Sequence, residues 1–219
     1  MNIVVIPARG GSKGIPRKNL KEVDGLPLVI RAALLVKEAK NADEVFVSTE
    51  DSEIREVCYD YGVEVIDRPR GLSEDETSTD DVIEHTLTKV CCDVLGLVQC
   101  TAALLKTADV ERVIKAVECG ADSAIAASKF HGFLWTFDGE GINHDGFNRQ
   151  RRQDMEPQYL EAGSVYAINP KMFEISKTRF CGWTEIIEVE PGIEIDEPAD
   201  LELAKALIVR MGCSDDKKA

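Results

Sequence analysis

Residues 1–21, MNIVVIPARGGSKGIPRKNLK, carry five cationic side chains (Arg9, Lys13, Arg17, Lys18 and Lys21) and no carboxylate, in a 219-residue chain of net charge -14. Such a local excess of positive charge in an acidic protein points to a polyanionic ligand. The apolar run Ile3 to Ile6 reads as a buried parallel strand that empties into a loop with glycines at 10, 11 and 14, where backbone can approach a ligand closely. The N–H groups of a Gly-rich turn form a nest for phosphate oxygens. Lys13, Lys18 and Arg9 would add charge-assisted bonds, the arginine able to bind two oxygens at once. The spacing matches neither the P-loop nor the dinucleotide glycine pattern, so a kinase-type loop and an NAD-type site are both disfavoured. A solvated basic loop is the competing reading. The strand ahead of the loop favours a ligand site, because ligands of open α/β sheets sit beyond the carboxyl ends of strands.

Glu194-Ile195-Asp196 form a second constellation. If this segment is extended, the carboxylates project to the same side and can share a hard cation. Magnesium commonly takes one or two protein carboxylates plus substrate phosphates. An acidic surface patch beside the helix that starts near Pro198 accounts for the same residues. Arg149, Arg151, Arg152 and Gln153 form a second concentration of positive charge, suited to an acidic substrate's carboxylate or to salt bridges between subunits. Basic loops plus paired carboxylates point to phosphoryl or nucleotidyl transfer.

The elements that must position these groups alternate in type. Strands are expected at Ile3 to Ile6, Val45 to Ser48, Val63 to Ile66, Val94 to Val98, Ser123 to Ala127, Val165 to Ile168 and Ile186 to Val189. Helices are expected near Leu28 to Ala39, near Ser52 to Tyr61, after a Thr79 cap, after Thr107, and from Pro198 to about Met211. This is an α/β signature. The rhythm breaks between Lys129 and Glu161, a polar, aromatic excursion whose Phe133, Trp135 and Phe137 are expected to be exposed and alternate as in a strand. Those rings read either as part of a subunit contact or as the excursion's own packing. A single domain over 1–211 with a frayed tail over 212–219 is expected.

Composition narrows the classes. With 44% hydrophobic and 30% charged residues and no apolar stretch near membrane-spanning length, the expectation is a cytoplasmic protein with no signal peptide. A pI near 4.7 disfavours long nucleic acids, whose binding depends on neutralising phosphates, whereas one nucleotide needs only a local positive pocket. The seven cysteines show no Cys-x-x-Cys pairing and read as reduced structural thiols. The three histidines have no zinc-ligand spacing.

The segment IPARGGSKGIPRKNL closely resembles the opening signature of the acylneuraminate cytidylyltransferases, and RRQDMEPQYLEAGSVYAI and IEIDEPADLELA are similar to that family's later segments. The resemblance runs from residue 2 to about 207. It implies a Rossmann-like, three-layer nucleotidyltransferase fold, a homodimer with an exchanged excursion, and dependence on Mg2+. It also implies attack by the anomeric hydroxyl of a sialic-acid-like nonulosonic acid on the α-phosphate of CTP, releasing pyrophosphate. By motif position, Ala8, Arg9, Gly10, Ser12, Lys13, Lys18 and Asn19 resemble the CTP loop, with Arg68 and Ser78 as further nucleotide contacts. Gln99, Arg149, Arg152, Gln153 and Tyr166 fall where the acidic sugar is held, and Glu194 and Asp196 on the metal pair. Arg9, Lys18 and Asp196 then carry the catalytic roles. The chain departs from the family in three places: Glu194 stands for the usual Asp, QCTAALLK replaces Gln-Pro-Thr-Ser-Pro-Leu-Arg, and KFHGFLWTF lacks a lysine some members carry. N-acylneuraminate is the expected sugar, with legionaminic or pseudaminic acid as the alternative, and a CTP-binding protein without transfer activity as the reading from a different class.

Overall fold

β1 (Asn2–Pro7) is apolar at successive positions because it is covered on both faces. Val4 and Ile6 point into one core with α1 (Leu28–Lys37), while Ile3 and Val5 point into a second. The computed structural model describes residues 1–215, with side chains through Arg210. Along the chain follow a short hairpin of β2 (Glu22–Val23) and β3 (Leu26–Pro27), then α1, β4 (Glu44–Thr49), α2 (Ser52–Asp60) and β5 (Glu64–Asp67). The remainder is α3 (Thr79–Leu87), β6 (Val94–Val98), α4 (Thr107–Glu118), β7 (Ser123–Phe130), β8 (Gln158–Ile168), α5 (Pro170–Ser176), β9 (Thr184–Glu188) and α6 (Pro198–Asp215).

Of the nine described strands β2 and β3 pair apart, and the other seven form one sheet in the order β5-β4-β1-β6-β8-β7-β9. All neighbours are parallel except those of β8, which runs antiparallel to both β6 and β7. The first core packs α1, α2, α4 and α6 on one face through Val29, Cys58, Val113 and Ala204; the second packs α3 and α5 on the other through Ile83 and Phe173. The result is a three-layer α/β domain. From β1 the chain moves outward to β4 and β5, then crosses back to β6 on the other side, so a crevice opens beyond the carboxyl ends of β1, β4 and β6.

Several boundaries differ from expectation. Ser78, not Thr79, caps α3: its Oγ accepts from the N–H of Asp81, and the Asp81 carboxylate accepts from the Ser78 N–H, a reciprocal capping box. β7 and β8 extend to pair Phe130 with Gln158, so regular structure resumes well before Val165. β8's outer half is exposed and lacks the apolar run that signals a buried strand. Within the excursion Phe133 is half-buried. Its ring and that of Trp135 meet His144 edge-on at 4.8 and 4.5 Å, and Arg149 lies 4.2 Å over Phe133. Phe137 and Phe147 stand fully in solvent. The strand-like alternation there reduces to one bridge between Trp135 and Gly141. α6 continues to Asp215, and residues 216–219 of the expected tail lie outside the described residues. Cys58, Cys91, Cys92, Cys100, Cys119 and Cys181 are free thiols; the side chain of Cys213 lies outside the described residues. No helix among the described residues is long and apolar enough to cross a membrane.

Asp51 ties this scaffold to the first loop. It caps α2 by accepting from the N–H groups of Glu53 and Ile54, and it takes a two-pronged pair from Arg17 at 2.6 and 2.8 Å. Removing both roles with Asp51→Ala should lower the unfolding free energy by about 2 kcal/mol in urea titration. Asp51→Asn, which still caps, should lose about half of that. The Arg17 hydrogen bonds are the main cause holding the Asp51 carboxyl at about 2. Its stabilisation is therefore complete above an unfolded value near 4 and disappears as pH falls through 2, an acid dependence that Asp51→Asn should remove.

Candidate functional site

At the carboxyl end of β1 the loop is fastened from both sides. The Ala8 N–H donates to the Ser48 carbonyl at 3.0 Å, the Gly10 N–H to Glu50 at 2.8 Å, and Asn19 Nδ2 to the Arg9 carbonyl at 3.0 Å. Two glycines are required for close approach. A Cβ on Gly10 would stand 2.2 Å from Asp51 Oδ2, and one on Gly14 would stand 2.1 Å from the Asp196 carbonyl oxygen. Gly14 therefore lets the loop rest on the distant carboxylate segment.

That contact is completed by Lys18. Its Nζ donates to the Ile195 carbonyl at 2.8 Å and to Asp196 Oδ1 at 2.9 Å. The 194–196 segment is itself anchored: Glu194 bridges to Ala102, and the Ile195 N–H donates to the Thr101 carbonyl at 3.2 Å. Asp200 accepts from the N–H groups of Asp196 and Glu197 and holds the turn into α6. The Glu194 carboxylate packs on Gly163 of β8, where an added Cβ would lie 2.9 Å from Oε2. Burial first, and then the Asp196 charge, push the Glu194 carboxyl above its ordinary value. Two carboxylates that repel one another in a partly desolvated place, with one ammonium between them and the loop, fit a divalent cation. No group of three or more His, Cys, Asp or Glu side chains able to hold a metal occurs among the described residues. A cation here would thus complete its shell with ligand oxygens and water.

Between the loop, the 72–79 segment and the turn after β6 lies a cavity of about 240 Å3 lined by Arg9, Ser12, Lys18, Asn19, Ser78 and Gln99, among others; Glu194 and Asp196 do not line it, and Asp196 is tied to its wall through Lys18. The structure brings these expected contacts together. Ala8, Gly10 and Arg68 do not line it. Ala8 is fully buried, the Gly10 N–H is spent on Glu50, and Arg68 sits behind the loop with Nη2 3.3 Å from Glu50. Burial pulls the Arg68 guanidinium below its ordinary value against the attraction of Glu50. Burial likewise works to raise Glu50, but the Gly10 N–H and its other partners hold its carboxyl below the ordinary value. Lys13 flanks the cavity through Asp75, at 2.9 Å.

Of the expected sugar contacts Gln99 lines that cavity, and Arg149, Arg152, Gln153 and Tyr166 do not. Arg152 and Gln153 line a separate hollow of about 170 Å3 with Lys129 and His131 at the base of the excursion, and Arg149 is stacked on Phe133. Tyr166 is buried on β8; its hydroxyl donates to Glu161, and Arg179 stacks over its ring at 5.0 Å. Burial, then the Glu161 hydrogen bond, push that phenol well above its ordinary value. In the QCTAALLK segment, Cys100 lines the main cavity as a buried thiol pushed up to about 12, which leaves it no thiolate for nucleophilic chemistry, and Leu105 packs on the first core. A broader depression of about 680 Å3 between α4 and β9 carries none of these groups. Sequence reasoning missed Glu50, Asp75, Glu161 and Arg179. Each is an ordinary-looking charge; Glu50, Asp75 and Arg179 act through partners distant in sequence, and Glu161 through Tyr166 on its own strand.

A cytidylyltransferase family model matches residues 3–191. The chain belongs to the cytidylyltransferase family. It is 32% identical over 225 residues to N-acylneuraminate cytidylyltransferase A of Danio rerio, an alignment covering 95% of this chain and 51% of that protein. The chain thus spans about half the length of that relative. It is also 29% identical over 229 residues to the pseudaminic acid cytidylyltransferase of Campylobacter jejuni, covering 94% of this chain and 95% of that one. Among solved structures, a CMP:2-keto-3-deoxy-manno-octonic acid synthetase complexed with CTP matches with a TM-score of 0.75 at 19% identity, over 96% of this chain and 99% of that one. That likeness establishes the nucleotidyltransferase fold.

The two close approaches make a testable contrast. Gly14→Ala forces the loop off Asp196 and should lower the melting temperature by about 3 °C. Gly11→Ala, with nothing within 4 Å of the added carbon, should leave the melting temperature unchanged.

Proposed function

We propose that this chain transfers the cytidylyl group of CTP to the anomeric hydroxyl of an acidic nonulosonic sugar, N-acylneuraminate foremost, with release of pyrophosphate. The observation that carries this reading is the contact of Lys18 with Asp196 and the Ile195 carbonyl, which joins the carboxylate pair to the cationic loop at the wall of its cavity. Arg9, Ser12 and Lys13 bind the triphosphate, and Asn19 keeps the loop closed through the Arg9 carbonyl. The sugar oxygen forms a new bond to the α-phosphorus as the bond to the pyrophosphate oxygen breaks. Lys18 and Arg9 stabilise the negative charge that collects on the departing oxygens. Glu194 and Asp196 are the residues that would hold a magnesium ion. Such an ion would supply charge neutralisation of phosphate oxygens and lower the pKa of a bound hydroxyl.

On the sugar side Gln99 stands at the cavity wall, while Tyr166, with its hydroxyl engaged by Glu161, supports β8 from the core. Arg149, Arg152 and Gln153 lie on the excursion, away from the cavity of their own chain. We therefore assign them to the active site of a second copy, in a homodimer that exchanges excursions; the solvent-exposed Phe137 and Phe147 suit that contact. A cytoplasmic location agrees with the free thiols. Pseudaminic acid is the second reading, favoured by the full-length match to the Campylobacter jejuni protein.

Purified protein with CTP, magnesium and, in parallel, N-acetylneuraminic, legionaminic or pseudaminic acid should release pyrophosphate with N-acetylneuraminic acid. Release with only another sugar reassigns the acceptor, and CTP binding without release from any sugar defeats the transfer reading. Asp196→Asn should reduce metal-supported turnover by about a hundredfold or more while circular dichroism stays unchanged. Unaltered turnover would remove Asp196 from the mechanism.

A further inference from the structure

The cations of the β1 loop are not free to meet a ligand. Arg9 Nη1 donates to Asp75 Oδ1 at 2.7 Å, and Lys13 Nζ lies 2.9 Å from Asp75 Oδ2. Asp75 thus holds one carboxylate oxygen on each of the two cations assigned above to the triphosphate. It sits on the connection between β5 and α3, and it lines the same cavity as Ser12 and Lys18. The contacts are partly open to water, with Asp75 45% and Lys13 77% exposed at the side chain. Paired exposed ions of this kind are individually weak and readily exchanged. A carboxylate presents one charge on two oxygens, whereas an oligophosphate presents several charges on many oxygens, so the same cations favour the latter.

We propose that Asp75 is a tethered counter-anion that occupies the Arg9 and Lys13 positions in the empty enzyme and must be displaced by the incoming oligophosphate. Its return then helps expel pyrophosphate after transfer. The inference rests on the cytidylyltransferase reading for its biological meaning, but its physical content is a competition between one carboxylate and any oligophosphate. Asp75 organises the cations while keeping weakly charged ligands out.

The test uses inorganic pyrophosphate as probe, titrated by calorimetry in metal-free buffer against the full chain, with CTP in a parallel series. Asp75→Asn removes the charge and keeps the shape, and should bind pyrophosphate about three- to tenfold more tightly than the parent. Asp75→Ser, neutral and too short to bridge both cations, should gain similarly; Asp75→Glu, which keeps the anion, should remain close to the parent. Equal or weaker pyrophosphate binding by both neutral variants would overturn the proposal and make Asp75 a scaffold for the cations. Parent protein that binds pyrophosphate but not CTP would sink the cytidylyl reading and leave the Asp75 comparison standing.

Discussion

The site depends on one long-range contact, the Lys18 ammonium on the Ile195 carbonyl and the Asp196 carboxylate. A charge-assisted bond of this kind is strong only where its partners are held, since two mobile side chains lose in entropy what they gain in attraction. Both partners here are held. Lys18 opens a short 3-10 turn, Lys18–Leu20, whose end is closed by the Lys21 N–H on the Lys18 carbonyl. The opposing segment is bridged through Glu194 to Ala102 and steadied by Asp200. Gly14 makes the approach sterically feasible, because any side chain there would occupy the space of the Asp196 carbonyl.

That contact in turn requires the sheet. β1 and β6 are neighbours, so the loop after one and the Gln99–Thr101 turn after the other emerge side by side. β4 flanks β1 on the opposite side and contributes Glu50 and Asp51 from its carboxyl end, one to the Gly10 N–H and the other to Arg17. The antiparallel β8 brings Gly163 beneath Glu194 and Tyr166 opposite Leu97. A parallel order reversing at β1 therefore supplies a concave edge at which residues from five separate stretches of chain converge.

The electrostatic pattern follows from the same geometry. An acidic chain concentrates five of its 26 cationic side chains in residues 1–21, and the surrounding carboxylates divide into two roles. Glu50 and Asp51 are sheltered and hold backbone or guanidinium groups in fixed orientation, with both carboxyls below their ordinary values. Asp75 is exposed and exchangeable. Burial decides between these roles, since a desolvated pair left unpaired carries a large penalty whereas a wet pair can part at little cost.

The residue pattern alone determined the alternation of strand and helix, since buried parallel strands need unbroken apolar runs and covering helices need one apolar face. Val94 to Val98 and the Val110, Val113, Ile114 and Val117 stripe were legible for that reason. The cationic loop was legible as well, because its density of charge and glycine is local. The exposed half of β8, the Ser78 cap and the half-burial of Phe133 were not, since each is set by a neighbour rather than by a periodicity. Only the tertiary structure decided which carboxylate meets which cation: Asp75 with Arg9, Glu50 with Arg68, Asp51 with Arg17, Asp196 with Lys18. It also separated Arg149, Arg152 and Gln153 from the cavity of their own chain. Charge has no sequence range of its own, and the partner of a given ion is chosen by the distances that the folded sheet imposes.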